Sequence, residues 1–135
     1  MSLVQTEIML KNAKDLILLD EGYKQEAEVR QMTVKALVDT GAWTLVINEE
    51  IREKLGLEIT GNKSGTLADG KKDFYSMAGP IEVMWKTRSV LLDALVLPEA
   101  DEILLGAIPL KAMDLTINPR RELVGAHGDE MIHRI

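Results

Sequence analysis

Short apolar runs separated by turn residues dominate the chain. Runs of about four to eight apolar residues, bounded by Gly, Pro, Asn or Asp, are typical of strands. The run Asp15–Asp20 has a length that fits a helix equally well. The strand-like segments are Thr6–Leu10, Asp15–Asp20, Ala27–Val38, Thr44–Ile47, Pro80–Trp85, Ser89–Leu97, Leu115–Ile117 and Glu122–Gly125.

Two short helices are predicted between these strands. Asn48 is a good N-cap residue, and Gly56 is a good residue for ending the helix that follows. The segment Glu102–Leu115 changes from a strand to a helical pattern, with Pro109 near the helix start. We therefore predict one mostly β domain over residues 1–135, with one or two short helices.

A turn dipeptide in the middle of the chain predicts a hairpin. The segment Gly65–Met77 places Asp69 and Gly70 between two strand-like arms. Asp-Gly is a strong turn signal when it is flanked in this way. The pattern by itself fits an ordinary surface hairpin.

Composition and charge exclude several functional classes. The 135 residues suffice for one compact domain. The net charge of −6, with no Lys/Arg cluster larger than Arg120–Arg121, argues against a nucleic-acid-binding surface. The absence of cysteine excludes disulfides and Cys-based metal sites. The charge gives at most a mild bias against acidic peptides.

No apolar run has the length of about 20 residues that a membrane-spanning helix needs. The longest candidate, Val90–Pro98, is short and is interrupted by Asp93. The N-terminus lacks the long apolar stretch of a secretory signal. We therefore expect a cytoplasmic protein with no membrane partner.

One polar interruption of a strand pattern is the best candidate for chemistry. The segment Lys35–Ile47, KALVDTGAWTLVI, breaks its apolar pattern at Asp39-Thr40-Gly41. A glycine directly after a strand permits a tight turn. On local sequence alone, the tripeptide fits a catalytic loop and a β-turn without chemistry about equally well.

A second segment supports the catalytic interpretation. Ile103–Leu110, ILLGAIPL, has two apolar residues before a glycine and then a short helix. Four motifs in this order resemble those of retropepsin-like aspartic peptidases, and above all those of the small single-motif prokaryotic relatives. The motifs are VDTGA, LGL, LADG and LLG. The resemblance spans about Ala27 to Gly125.

The resemblance implies a closed β-barrel or sandwich with a flap hairpin. It also implies that Leu104, Leu105 and Gly106 pack beside the catalytic loop. Aspartic peptidases use two carboxylates, one as general base on a water and the other as proton donor. Because the chain has a single Asp-Thr-Gly, we expect the second Asp39 to come from another copy in a symmetric homodimer.

The resemblance also assigns roles around Asp39. Thr40 would hydrogen-bond across the two-fold axis, and Gly41 would let the substrate backbone approach closely. Ala42 has no hydroxyl to donate to the carboxylate, so we expect activity nearer neutral pH than in a gastric-type enzyme. The implied substrate is a peptide or protein, and no cofactor or metal is required.

Further residues are expected to contact the substrate. By resemblance these are Trp43 and Thr44 after the catalytic loop, and Asp69 and Gly70 near the tip of the flap. Trp43 departs from the small or polar residue usual at its position. A tryptophan that packs in the core is an equally good interpretation.

Three alternatives remain at this stage. A catalytically silent, dimeric binding module on the same fold would retain the same motifs. Phosphoryl transfer to Asp39 is weaker, because the acidic cluster for Mg²⁺ and the α/β pattern are absent. The third is a metal site: its ligands would be His127 and His133 with Asp129 and Glu130, in a tail better explained as solvated or as a dimer contact.

Overall fold

The computed structural model describes residues 4–66 and 72–128. The strands are β1 Val4–Asn12, β2 Gln31–Val38, β3 Val46–Ile47, β4 Glu58–Thr66, β5 Lys72–Trp85, β6 Arg88–Val96, β7 Ile103–Leu105, β8 Leu115–Ile117 and β9 Leu123–Gly125. The helices are α1 Ala13–Asp20, α2 Glu49–Leu55 and α3 Ala107–Ala112, and a 3₁₀ turn covers Glu26–Glu28. In this described part of the chain, no helix is long and apolar enough to cross a membrane.

Six strands close into a barrel in the order β1-β2-β7-β3-β6-β5. The barrel closes where Met9–Asn12 of β1 pairs with Ile81–Met84 of β5. Strand β4 pairs with β5 outside this closed set, and β8 and β9 form a separate two-stranded sheet. The prediction of a mostly β closed barrel with few short helices is confirmed.

Aliphatic side chains fill the barrel because alternate residues of each strand face inward. Leu10, Ile81, Val83, Ala94 and Leu105 have no exposed surface. Burial of each large aliphatic side chain contributes about 1.5–3 kcal/mol to folding.

The run Asp15–Asp20, for which the sequence left strand and helix equally open, is helical. Asn12 explains the helix, since its side-chain oxygen accepts a hydrogen bond from the Asp15 amide at 3.1 Å and caps α1. The Asn12 amide group also donates to the carbonyl of Leu55 at 2.9 Å. This second partner is 43 residues away in sequence, so the pattern around the run gave no sign of it.

Other element bounds differ from the predictions. Strand β2 begins at Gln31, not Ala27, because a 3₁₀ turn occupies Glu26–Glu28. Strand β5 is continuous over 14 residues and joins the second hairpin arm to the predicted strand at Pro80. The α2 helix is as predicted, with Asn48 accepting from the Ile51 amide at 2.9 Å.

A buried carboxylate joins α1 to the chain that enters β2. Asp15 is 1% exposed and accepts hydrogen bonds from the Arg30 side chain at 2.9 and 3.0 Å. It also accepts from the Lys24 ammonium at 2.7 Å and from the Arg30 backbone amide at 3.0 Å. The Arg30 side chain, followed by Lys24, holds the pKa of Asp15 far below its usual range, against the opposing effect of burial.

Because of the ion cluster around Asp15, we expect the free energy of unfolding to depend on pH. Because the pKa of Asp15 is lower in the folded than in the unfolded chain, its stabilisation is complete above the unfolded value and is lost as pH falls below about 4. We expect Asp15→Asn to cost about 3 kcal/mol at neutral pH, since it leaves two cations without their anion. The difference in unfolding free energy between wild type and Asp15→Asn should shrink between about pH 5 and pH 3.

Urea unfolding of both proteins across this range measures the effect. The matched control is Asp20→Asn, at an exposed position on the same helix, which should leave the pH dependence as in wild type. A wild-type advantage over Asp15→Asn that stays constant with pH would contradict the assignment.

Candidate active site

The loop of residues 39–45, here called the Asp39 loop, joins β2 to β3 at one end of the barrel. Strand β7 lies between these two strands, parallel to β2 and antiparallel to β3. The Asp39 amide donates to the carbonyl of Leu105, the last residue of β7, at 3.0 Å. Asp39 is therefore held at the point where β2 and β7 end together.

Gly106 brings the chain after β7 into backbone contact with the Asp39 loop. A Cβ atom at this position would stand 2.7 Å from the Ala42 carbonyl oxygen and 2.9 Å from the Thr44 amide nitrogen, and would overlap the Thr44 carbonyl oxygen. The φ of Gly106 is −91°, which any residue adopts. Glycine is thus required for close approach and not for an unusual conformation.

The Asp39 loop also caps the helix that follows Gly106. Gly106 supplies no side-chain cap, and the first amides of a helix need acceptors. The Ala107 amide donates to the Ala42 carbonyl at 2.8 Å, and the Ile108 amide donates to the Trp43 carbonyl at 3.1 Å. Loop and helix α3 therefore fix one another through their backbones.

The Asp39 carboxylate is partly exposed and points back onto its own loop. Its Oδ1 accepts from the Gly41 amide at 2.9 Å, and the Asp39 carbonyl accepts from the Ala42 amide at 3.1 Å. Among the described residues, no hydrogen bond joins Asp39 to a second carboxylate. The described residues thus present one oriented carboxylate that can accept a proton.

Thr40 lies on the surface beside Asp39 and lines a cavity of about 460 Å³. The rest of the lining comes from α3 and from the β8–β9 sheet, and it is largely apolar. It consists of Ala107, Leu110, Lys111, Leu115, Thr116, Ile117 and Leu123. An apolar depression therefore adjoins the loop that carries the carboxylate.

Trp43 and Thr44 occupy different environments. Trp43 is 46% exposed, so its side chain is only partly buried. Thr44 is 2% exposed, and its backbone packs on Gly106. Thr44 therefore packs between the Asp39 loop and Gly106 and does not line an open surface.

Strands β4 and β5 pair as the arms of a hairpin, from Thr66↔Lys72 to Glu58↔Gly79. Asp69 and Gly70, expected to contact the substrate, lie outside the described residues. Lys63, on the first arm, places its ammonium 4.9 Å from the centre of the Trp43 ring. Sequence analysis missed this residue because the arm Glu58–Thr66 has no apolar alternation and was not predicted as a strand.

The suggested histidine metal site lies mostly outside the described part of the chain, at Asp129, Glu130 and His133. Within residues 4–66 and 72–128, no cluster of three or more His, Asp or Glu could hold a metal ion. His127 contacts Asp114 instead, with 2.7 Å between its Nδ1 and the carboxylate Oδ1.

Comparisons with known proteins agree with this geometry. The family described as "gag-polyprotein putative aspartyl protease" matches residues 25–112, a range that contains both the Asp39 loop and Gly106. The crystal structure of the retroviral protease-like domain of Ddi1 from Leishmania major is similar, with a TM-score of 0.53 and 16% identity. The match covers 89% of this chain and 84% of that one, and at this identity it establishes the fold alone.

A search of curated proteins gave no match. The family match covers more than half of the chain, and it includes the strand β2, the Asp39 loop, the hairpin arms and strand β7. The chain belongs to the family of retroviral-type aspartyl proteases.

Proposed function

We propose that two copies of this chain form an aspartic endopeptidase, with one Asp39 from each copy in a shared site. One observation carries the proposal. The single Asp-Thr-Gly is fixed by backbone contacts to Leu105 and Gly106 at the end of β2, and its carboxylate remains partly exposed. Its substrates are peptides or proteins.

The chemistry follows from the pairing of two carboxylates. Two such groups about 3 Å apart cannot both be ionised, so they share one proton. The ionised Asp39 takes a proton from a water, which attacks the scissile carbonyl carbon, while the protonated Asp39 donates to the carbonyl oxygen. The Asp39 that took the proton from water then donates it to the leaving nitrogen, the other Asp39 takes a hydroxyl proton back from the tetrahedral intermediate, and the C–N bond breaks.

The Gly41 amide contributes to this reaction by its hydrogen bond to Oδ1 of Asp39. A donor of this kind fixes the orientation of the carboxylate. Ala42 adds no side-chain donor. We therefore expect activity to extend towards neutral pH.

We propose the apolar depression beside Thr40 as the contact between the two copies. It adjoins the Asp39 loop, so a partner seated there brings a second Asp39 to the same place. Leu115 and Leu123 are 7% and 8% exposed, which leaves little further apolar area for each to bury. Ile117 and the exposed Thr116 lie on the accessible part of the lining.

The hairpin of β4 and β5 serves as the flap in this proposal. Its first arm already contacts the Asp39 loop through Lys63 and Trp43. Closure of such a hairpin over a peptide excludes water from the reacting bond and positions the substrate.

The substitution Asp39→Asn tests the proposed activity. We expect it to abolish cleavage of a diverse peptide mixture assayed between about pH 4 and pH 8, because neither base nor acid remains. Wild-type activity should rise faster than linearly with protein concentration, since the active species is a dimer. Cleavage products are measured by mass spectrometry at two protein concentrations.

Unfolding of Asp39→Asn in urea serves as the control for an intact fold. Cleavage that persists in a folded Asp39→Asn protein would contradict the proposed role of Asp39. Wild-type activity strictly proportional to concentration, with a monomeric mass in solution, would contradict the paired site.

The substitution Thr116→Arg tests the proposed contact surface. A charged side chain buried against an apolar surface without a partner is costly, so we expect dimerisation to weaken by at least about tenfold. Sedimentation velocity measures the dimer fraction. The matched control is Thr33→Arg, at an exposed threonine early in β2, which should leave the dimer unchanged. Equal dimer fractions in the two variants would place the contact elsewhere.

A dimeric binding module without catalysis is the second candidate. The observation that favours it is Trp43, a large and half-exposed side chain four residues after Asp39. Its bulk can narrow the space in which a peptide lies. Peptide binding by a folded, dimeric wild type that cleaves none of the mixture would favour this candidate.

A further inference from the structure

A cation–π contact joins the first arm of the flap hairpin to the Asp39 loop. The ammonium nitrogen of Lys63, on β4, lies 4.9 Å from the centre of the Trp43 ring. Trp43 follows Asp39 by four residues. The two side chains therefore lie at the edge of the space between hairpin and loop, where the proposed function places the substrate.

The backbone that carries the Trp43 ring is held in place. The Trp43 carbonyl accepts from the Ile108 amide at 3.1 Å, and the neighbouring Thr44 is 2% exposed. The backbone on both sides of the ring is thus held by helix α3 and by Gly106. The indole itself remains 46% exposed.

The ammonium group of Lys63 has capacity for a further partner. An ammonium has three donor hydrogens, and a ring face occupies only one side of it. No described carboxylate lies within 4.0 Å of it. Asp73, on the second arm, accepts a hydrogen bond from the Phe74 amide at 2.8 Å through one of its carboxylate oxygens.

We propose that Trp43 and Lys63 form a subsite that selects an acidic side chain, Asp or Glu, in the bound peptide. This inference rests on the proposed function, because the proposed function places the peptide between the hairpin and the loop. The substrate carboxylate pairs with the Lys63 ammonium, and the substrate methylene groups pack on the exposed indole. Because Lys63 already stacks on Trp43, its side chain has fewer accessible rotamers. It therefore loses less conformational entropy when it pairs with the substrate carboxylate.

At this subsite, the positive charge of Lys63 has a larger effect on a bound acidic side chain than the net charge of −6 of the whole chain. At physiological ionic strength, charges separated by more than about 8 Å are largely screened. An ion pair formed by contact with Lys63 is screened much less than the distant acidic groups. Acidic residues in the substrate are therefore favoured at this one position, against the mild bias expected from overall charge.

Paired peptide libraries test the inference. Fluorogenic peptides carry Glu or Gln, in turn, at each position around the scissile bond, and kcat/KM is measured for each pair. At one position we expect wild type to prefer Glu by about two- to fivefold, the range of an exposed ion pair. The preference should decrease as salt is raised.

Substitutions at Lys63 should change the preference in a defined order. Lys63→Met retains an unbranched side chain on the ring but removes the charge, so the Glu/Gln ratio should fall to about one. Lys63→Glu should reverse the ratio, and Lys63→Arg should preserve it. A ratio near one at every position in wild type, or a ratio that Lys63→Met leaves intact, overturns the inference.

The chain contains a matched control at the other end of β5. Lys86 lies 4.6 Å from the Trp85 ring centre, in the turn that leads to β6. Lys86→Glu changes the net charge by the same amount as Lys63→Glu. It should leave the Glu/Gln ratio as in wild type, and a ratio that falls equally in both variants would attribute the effect to overall charge.

Binding measurements separate this inference from the proposed activity. The same Glu and Gln peptides, labelled for fluorescence anisotropy, are titrated with Asp39→Asn protein, which needs no catalysis. Cleavage without Glu/Gln discrimination contradicts the subsite alone. Discrimination in binding without cleavage by wild type contradicts the peptidase alone, and absence of both binding and cleavage contradicts both.

Discussion

The backbone-to-backbone contact at Gly106 is the constraint on which the site depends. It lets the chain that leaves β7 touch the Asp39 loop with no side chain between them. Two helix amides then find their acceptors in the loop carbonyls of Ala42 and Trp43. The Asp39 loop is therefore positioned mainly by main-chain hydrogen bonds.

The same constraint underlies the proposed pairing of two chains. Fixing Asp39 on the end of β2 and β7 orients a single carboxylate, whereas hydrolysis by water needs an acid and a base together. The chain has no second Asp-Thr-Gly. The loop also fixes the Trp43 backbone, so under the proposed function the residue that contacts the substrate and the residue that activates water share one support. In that proposal, strain at Gly106 affects binding and catalysis together.

Local signals in the sequence were enough to predict the mostly β pattern and the α2 helix, whereas the barrel and the candidate site were predicted from the resemblance to a known family. Asn48 and Gly56 act within a few residues of the helix that they bound, and the Asp-Thr-Gly break follows directly from β2. The helix α1 was ambiguous because its cap, Asn12, is oriented by Leu55, far away in the chain. Likewise, the Lys63–Trp43 contact joins two exposed segments that lack any apolar periodicity to connect them.

Mixing wild-type and Asp39→Asn chains tests the paired site most directly. The mixture is made in equal amounts, with time for exchange, at a total concentration where activity per chain no longer depends on concentration. If each active dimer needs two Asp39 carboxylates, about a quarter of the dimers are active, and activity per wild-type chain falls to about half. Activity per wild-type chain that stays unchanged on mixing would contradict the account, because each chain would then act with its own Asp39 alone.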